Sequence, residues 1–227
     1  MSANLKNGLI ITICALAVAG SALWIYWREF KTPQHDVAMH QRVGEILAEE
    51  TANVVGTKGK VVLIAIPTGG LPELKTQLES YRERLKKLGN FDVREYELDT
   101  KDQDKYGVGT GLSGRRYVRT VQKNLDAAVF VSFIGAPNLK EEDVAELKAV
   151  PKLVAQARSV DHLPRLFKNG LISVAVASRF TFPAPGPIQA NTAQERFDKR
   201  YQIIRASTVA MIPKAEEAAG VPGAEQH

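Results

Sequence analysis

Cysteine is nearly absent from this sequence, which has a single one, Cys14, among 227 residues. A lone cysteine excludes a disulfide within the chain, a cysteine-based zinc site and a thioredoxin-like redox pair. Histidine is scarce as well, and His35 and His40 are five positions apart, so they do not share one helix face as metal ligands four apart do. We therefore expect no metal site.

Charge of one sign is not concentrated anywhere in the chain. The sequence has 30 Lys and Arg against 25 Asp and Glu, a formal net charge of +5, and no basic block with interleaved aromatic residues. Nucleic-acid binding is therefore not expected. The hydrophobic fraction of 44% is that of an ordinary globular protein, so most of the chain can fold around a core.

Catalytic motifs are missing too. The segment PTGG at 67–70 lacks the G-K-[ST] ending of a phosphate-binding P-loop, and no serine lies in a G-x-S-x-G elbow. Gly109, Gly111 and Gly114 have the spacing of a dinucleotide fingerprint, but they follow the polar segment DTKDQDKY rather than a buried strand. We expect no nucleotide, no cofactor and no enzymatic activity.

One long apolar run stands out at residues 9–27, LIITICALAVAGSALWIYW, which contains no charged residue. About twenty apolar residues in a helix cross a hydrocarbon core of about 30 Å, so the run predicts one transmembrane helix. Its end is expected to lie at the membrane interface, in contact with lipid, through Trp24, Tyr26, Trp27 and Arg28. A cleavable signal peptide is the alternative, but the run exceeds the usual h-region of about 7–15 residues.

The tail before this run is short, and a large domain follows it, which is the usual arrangement of a bacterial signal anchor. We therefore expect a single-pass protein of the bacterial inner membrane with a periplasmic domain. The positive charges near the run are nearly balanced, with Lys6 before it and Arg28 and Lys31 after it, so they do not fix the orientation.

From residue 60 onward the chain alternates strand-like and helix-like segments. KVVLIAI at 60–66 is a continuous β-branched run, typical of a strand covered on both faces, whereas the charged segment 91–98 is typical of an edge strand. Further strands are predicted at 127–134, 152–157, 171–178 and 201–206, with a helix at 112–124. This alternation predicts an α/β fold with a doubly wound, mostly parallel sheet of five to six strands.

The segments KVVLIAIPTGG, LDAAVFVSFIGAPN and LFKNGLISVAVASR resemble one lobe of the type I periplasmic sugar-binding proteins. The pattern is shared with flavodoxin-like and other Rossmann-like domains, and it covers about residues 60–180. Those receptors trap a ligand between two such lobes, whereas this sequence has residues for one.

The predicted organisation is a tail (1–8), a transmembrane anchor (9–27), a juxtamembrane stalk helix (28–59), a Rossmann-like α/β domain (60–207) and a C-terminal tail (208–227). Two functions fit it. The first is a non-enzymatic accessory or scaffolding subunit of a larger membrane complex, with protein partners contacting the anchor and the domain.

The alternative is an anchored solute-binding or sensory domain that takes a small molecule in the crevice at the carboxyl ends of the strands. Residues that follow predicted strands are then the expected ligand-binding residues: Thr68, Gly69, Gly70, Asn138, Arg158 and Arg179. The two arginines there would suit an anionic group, or would form surface salt bridges.

Overall fold

The computed structural model describes residues 3–26, 35–98, 112–147, 150–179 and 191–212, with side chains of the first helix described from Thr12 onward. It divides into two units, Met1–His35 and Asp36–His227. The first unit holds helix α1 (Ala3–Ile25), whose described side chains are exposed. Across the described residues, we find no helix that is both long and apolar enough to cross a membrane.

The second unit is an α/β domain built on a six-stranded sheet. Its elements in chain order are α2 (Val37–Val55), β1 (Lys58–Ala65), α3 (Pro72–Leu88), β2 (Asn90–Glu97), β3 (Leu112–Ser113), α4 (Gly114–Gln122), β4 (Val129–Ser132), β5 (Pro137–Asn138), α5 (Glu141–Ala145), β6 (Leu153–Ala157), α6 (Leu163–Lys168), β7 (Val174–Ser178), α7 (Ala193–Arg200), β8 (Tyr201–Ile204) and a 3-10 turn (Val209–Met211).

The main sheet has the strand order β2-β1-β4-β6-β7-β8. All neighbours run parallel except β7 and β8, which are antiparallel. The central strands have buried apolar stretches, Val61–Ile64 in β1, Val129–Val131 in β4 and Val174–Ala177 in β7, as in parallel strands that are covered on both faces. The predicted mostly parallel α/β sheet is confirmed, and the charged strand β2 lies at its edge, as its sequence indicates.

Helix α2 is a layer of this domain. Asp36 caps it by accepting a hydrogen bond from the Met39 N–H at 3.1 Å, and the helix ends at Gly56, whose φ is +87°. Its buried side chains recur every three or four residues, including Met39, Val43 and Leu47, and they contact β1, β4, β6 and β7. The segment predicted as a separate stalk therefore contains a helix that covers one face of the sheet.

Three polar contacts join α2 to the C-terminal part of the domain. Asp36 pairs with Arg196 at 3.0 Å, Arg42 donates to Gln194 at 2.6 Å, and the buried Glu50 accepts from Arg205 at 2.5 Å. The pKa of Asp36 lies below its ordinary value: partial burial opposes the charged form, but the Met39 N–H and Arg196 outweigh it. These contacts hold α2 against α7 and the end of β8.

Two buried tyrosines differ in how their hydroxyls are satisfied. The Tyr81 hydroxyl donates to Thr51 Oγ1 at 3.3 Å, whereas the Tyr117 hydroxyl has no hydrogen-bond partner within the described part of the chain. Burial raises the pKa of both phenols, so both stay protonated. Each ring packs edge-on against a phenylalanine.

This difference leads to opposite expectations for the two Tyr→Phe substitutions. Tyr117→Phe removes a buried hydroxyl that has no partner among the described residues and should raise the free energy of unfolding by about 1 kcal/mol, whereas Tyr81→Phe removes a hydrogen bond and should lower it by about 1 kcal/mol. Urea unfolding followed by circular dichroism measures both. A loss of stability in Tyr117→Phe equal to that in Tyr81→Phe would contradict the assignment.

Three elements were not anticipated from the sequence. They are helix α7 and the short strands β3 and β5, which form a separate two-stranded parallel sheet. The predicted helix at 112–124 is shorter, Gly114–Gln122, because Ser113 caps it through the Arg116 N–H. These elements are short, and tertiary pairing rather than local pattern stabilises them.

Candidate functional site

The carboxyl ends of the parallel strands lie together at one end of the sheet. From β1 the chain passes to β2 on one side, and it then returns to β4 on the other side of β1. The winding direction of the chain therefore reverses beside β1. In open α/β sheets, ligands bind at such a switch point. The loops that follow β1, β2 and β4 are therefore the natural place for a candidate site.

The loop after β1 makes a tight turn. The Leu71 N–H donates to the Thr68 carbonyl at 3.0 Å, and Gly70 between them has a φ of +77°, which favours glycine. The turn leads into α3, where Pro72 occupies the first position. It leaves Thr68 half-buried beside the carboxyl ends of β1 and β2.

A cavity of about 170 Å³ lies between α3 and the ends of these two strands. Its floor is apolar and its walls are polar; the lining residues are Leu63, Ala65, Ile66, Thr68, Lys75, Leu78, Glu79, Arg82, Glu95, Tyr96 and Glu97. Sites for drug-sized ligands have volumes of about 300–1,000 Å³, so this cavity suits a smaller solute.

The cavity walls carry charges of both signs. Arg82 binds Glu95 with two hydrogen bonds, at 2.6 and 2.8 Å, and Lys75 lies 3.9 Å from Glu79 one turn away on α3. Glu97 adds a further carboxylate on β2. Ammonium and guanidinium groups donate hydrogen bonds and carboxylates accept them, so the walls can bind a polar solute through both kinds of group.

Only part of the predicted ligand set reaches this cavity. Thr68 lines it, and Gly69 and Gly70 form the adjoining turn. Arg158 and Arg179 follow β6 and β7, which lie two and three strands from β1, or roughly 10 and 14 Å at the usual strand spacing. Both arginines are exposed and follow neighbouring strands, and their role in binding stays a prediction.

The remaining predicted residues have structural contacts. Asn138 belongs to β5 and pairs with Ser113 of β3. The Arg179 side-chain Nε donates to the Asp198 carbonyl, and its backbone N–H donates to the Arg200 carbonyl at 2.9 Å.

At the membrane-interface positions, Trp24 and Tyr26 are exposed, whereas Trp27 and Arg28 lie outside the described residues.

The glycine-rich segment has a packing explanation at its described end. Gly109 and Gly111 lie outside the described residues, but Gly114 begins α4. A Cβ at Gly114 would lie 2.3 Å from the Asp143 carboxylate and 2.6 Å from the Asn138 carbonyl. A carboxylate beside the start of α4 would repel a phosphate there. That the whole segment binds no nucleotide stays a prediction.

The polar walls of the cavity were missed in the sequence, although two signals for them exist. Lys75, Glu79 and Arg82 recur every three or four residues along one flank of the buried stripe of α3. Glu95 and Glu97 alternate along β2 and so share one face. No cluster of three or more metal-ligating side chains occurs in the ranges that the structure describes.

Comparison with known proteins shows the fold. No protein-family model matches the chain, and neither does any curated protein sequence. The structure is similar to that of an ABC transporter solute-binding protein from Burkholderia graminis in complex with D-arabinose, with 14% identity, a TM-score of 0.52, and coverage of 77% of this chain and 62% of that one.

Weaker matches include a solute-binding protein from Agrobacterium vitis bound with α-D-tagatopyranose, at 18% identity, a TM-score of 0.49, and coverage of 75% of this chain and 57% of that one. A LacI-type regulator from Bacteroides fragilis matches at 10% identity and a TM-score of 0.47, over 77% of this chain and 62% of that one. This chain therefore spans about three fifths of the length of these structures. The fold of this chain therefore resembles one lobe of the type I periplasmic binding proteins, as the sequence indicates.

Proposed function

We propose that this chain is a membrane-anchored binding module whose α/β domain takes a small polar solute at the carboxyl edge of the sheet. The observation that carries the proposal is the cavity beside Thr68, where the Arg82–Glu95 pair, Glu79 and Glu97 supply donors and acceptors over an apolar floor. The likeness in fold to a solute-binding protein in complex with D-arabinose supports it.

The cavity chemistry favours a neutral, polyhydroxylated solute of about the size of a monosaccharide. Two cationic and three anionic side chains line the cavity, so neither sign of ligand charge is strongly favoured. Hydroxyl groups both donate and accept, and they match walls that do the same. The apolar floor can contact the carbon-bearing face of such a solute.

Calorimetric titration of the detergent-solubilised full chain with D-arabinose, D-fucose and D-tagatose tests this proposal. We expect saturable heat with at least one sugar, and about tenfold weaker binding in Glu79→Gln, because a hydrogen bond to a charged group contributes about 1.5–3 kcal/mol. Glu83→Gln, one turn along α3 and outside the cavity lining, is the matched control. NAD and ATP should give no heat.

Two results would count against solute binding at this cavity. The first is the absence of heat with every sugar tested. The second is an equal loss of affinity in Glu79→Gln and Glu83→Gln, which would move the binding site elsewhere on the domain.

We propose that residues 9–27 anchor the chain in the bacterial inner membrane, with the domain in the periplasm. Support comes from the uncharged apolar run and from the exposure of its large side chains in α1, such as Leu16 at 68% and Val18 at 70%. A helix that is apolar on all sides is stable in lipid or against other apolar helices, not in water. Protease added to intact spheroplasts should digest the region after Trp27.

An accessory subunit of a membrane complex is the second candidate function. The same exposed apolar side chains of α1 fit a protein partner within the membrane, and the small residues Ala15 and Ala19 would let another helix approach closely. Mass spectrometry of the proteins that co-purify in mild detergent distinguishes the two. A stoichiometric membrane partner together with no sugar binding would favour the subunit.

A further inference from the structure

Strand β2 is a long and regular edge strand of the main sheet. It pairs with β1 without interruption from Lys58↔Asn90 to Ala65↔Glu97, and within the described ranges it pairs with no other strand. Its eight residues span about 26 Å and include no proline, glycine or bulge, so its charged side chains are what restricts pairing along this edge. The opposite edge strand, β8, has half that length, Tyr201–Ile204.

The middle of β2 is exposed on both faces of the sheet. Residues 92–95 are all exposed, and they include an apolar side chain, Val93, at 37%. Main-chain N–H and C=O groups along the outer edge of such a strand can pair with another strand. The side chains at the edge then decide which strand fits.

Two-fold symmetry restricts how two copies of β2 can pair. An axis perpendicular to the sheet makes the strands antiparallel and places one residue directly opposite its own copy. Centring the pair on Asp92, Arg94 or Glu95 sets like charges against each other, which is destabilising. Centring it on Val93 places valine against valine.

The register centred on Val93 also matches the flanking charges. It places Asp92 of each copy opposite Arg94 of the other, so two opposite-charge pairs form on one face. Arg94 is held in place because it donates to Asn124 Oδ1 at 2.9 Å, a contact that uses one of its five N–H donors. On the other face, Glu95 is already neutralised by the two hydrogen bonds from Arg82.

We propose that two copies of this chain associate through β2, in antiparallel register centred on Val93, to form one continuous twelve-stranded sheet. The strand is self-complementary in charge, and its symmetric centre is the exposed valine. The interface is independent of the cavity beside Thr68 and does not rest on the proposed solute binding.

Cysteine cross-linking tests the register. In a full-length Cys14→Ala background, Val93→Cys should form a disulfide-linked dimer on mild oxidation, because directly opposed residues have Cβ atoms about 4.5–5.5 Å apart. Met211→Cys, at an exposed site in the 3-10 turn after β8, the strand at the opposite end of the sheet, is the matched control and should remain monomeric on a non-reducing gel. Equal cross-linking at both positions, or none at Val93→Cys, would overturn the proposal.

Charge reversal tests the pairing of side chains in detergent-solubilised protein. Asp92→Arg and Arg94→Asp should each raise the dissociation constant of the dimer about tenfold, because each turns two attractive pairs into repulsive ones. Mixing the two variants restores both opposite-charge pairs, so a mixed dimer should form between differently tagged copies.

The mixed dimer separates this proposal from association through α1. Dimers that persist unchanged in both single variants would place the interface elsewhere and overturn the proposal. A mixture that stays as monomeric as either variant would also overturn it, provided that circular dichroism shows both variants folded.

Discussion

Gly44→Ala is expected to lower the free energy of unfolding by about 3 kcal/mol, the upper end of what overpacking costs. A Cβ at Gly44 of α2 would lie 2.2 Å from the Gln77 carbonyl and 2.2 Å from Ser80 Oγ, both on α3. The serine can rotate away, but the backbone carbonyl cannot. The two helices must then separate, and the core beneath them loses contacts.

The sign of this change makes the measurement decisive. In an exposed helix, Gly→Ala stabilises by about 1 kcal/mol, so a gain in stability would show that α2 and α3 do not approach each other as described. Gly69→Ala is the control, because a Cβ there meets nothing within 4 Å, and its effect should stay within about 0.5 kcal/mol. Urea unfolding followed by circular dichroism measures the stability of both variants. Tryptophan fluorescence is unsuitable because both tryptophans, Trp24 and Trp27, precede the domain.

Arg205→Ala is expected to lower the free energy of unfolding by about 3 kcal/mol. It leaves the carboxylate of Glu50, which is 5% exposed, without the guanidinium that lies 2.5 Å from it. Removing one partner of a buried pair costs about 3–5 kcal/mol, and the half exposure of Arg205 places this pair at the lower end. The cost comes from the uncompensated buried charge.

The double variant separates that charge from the lost contact. Adding Glu50→Gln to Arg205→Ala removes the buried charge and should recover more than half of the lost stability, measured as a double-mutant cycle. Lys168→Ala, an exposed basic residue in the last turn of α6, is the control, with an expected change within about 0.5 kcal/mol. If Arg205→Ala and the double variant lose the same amount of stability, the cost does not come from a buried charge on Glu50.

The sheet could be predicted from the sequence because its strands are continuous apolar runs. Val61–Ile64 and Val174–Ala177 each read as strands buried on both faces, and the charges of β2 marked it as an edge. Helix α7 was missed although its capping box, Thr192 with Glu195, is visible in the sequence. The helix is mostly charged and has one buried side chain, Phe197, so its sequence shows no apolar stripe that would predict packing against the domain.

The candidate cavity could be predicted only in part. Thr68 follows a strand and was found by that rule, whereas Arg82 and Glu95 come together across α3 and β2. Nothing local in the sequence pairs a helix residue with a strand residue 13 positions later. For the same reason the role of α2 was missed, since a stripe of apolar residues does not say which surface covers it.

The contacts of α2 also fix the order in which the domain can be completed during synthesis. Its partners Gln194, Arg196 and Arg205 follow it by 152, 160 and 155 residues. A ribosome adds about 5–20 residues per second, so these partners are synthesised roughly 8–30 seconds after α2. During that interval the apolar stripe of α2 lacks the part of its contact surface that α7 supplies, and incompletely covered apolar surface is prone to aggregation.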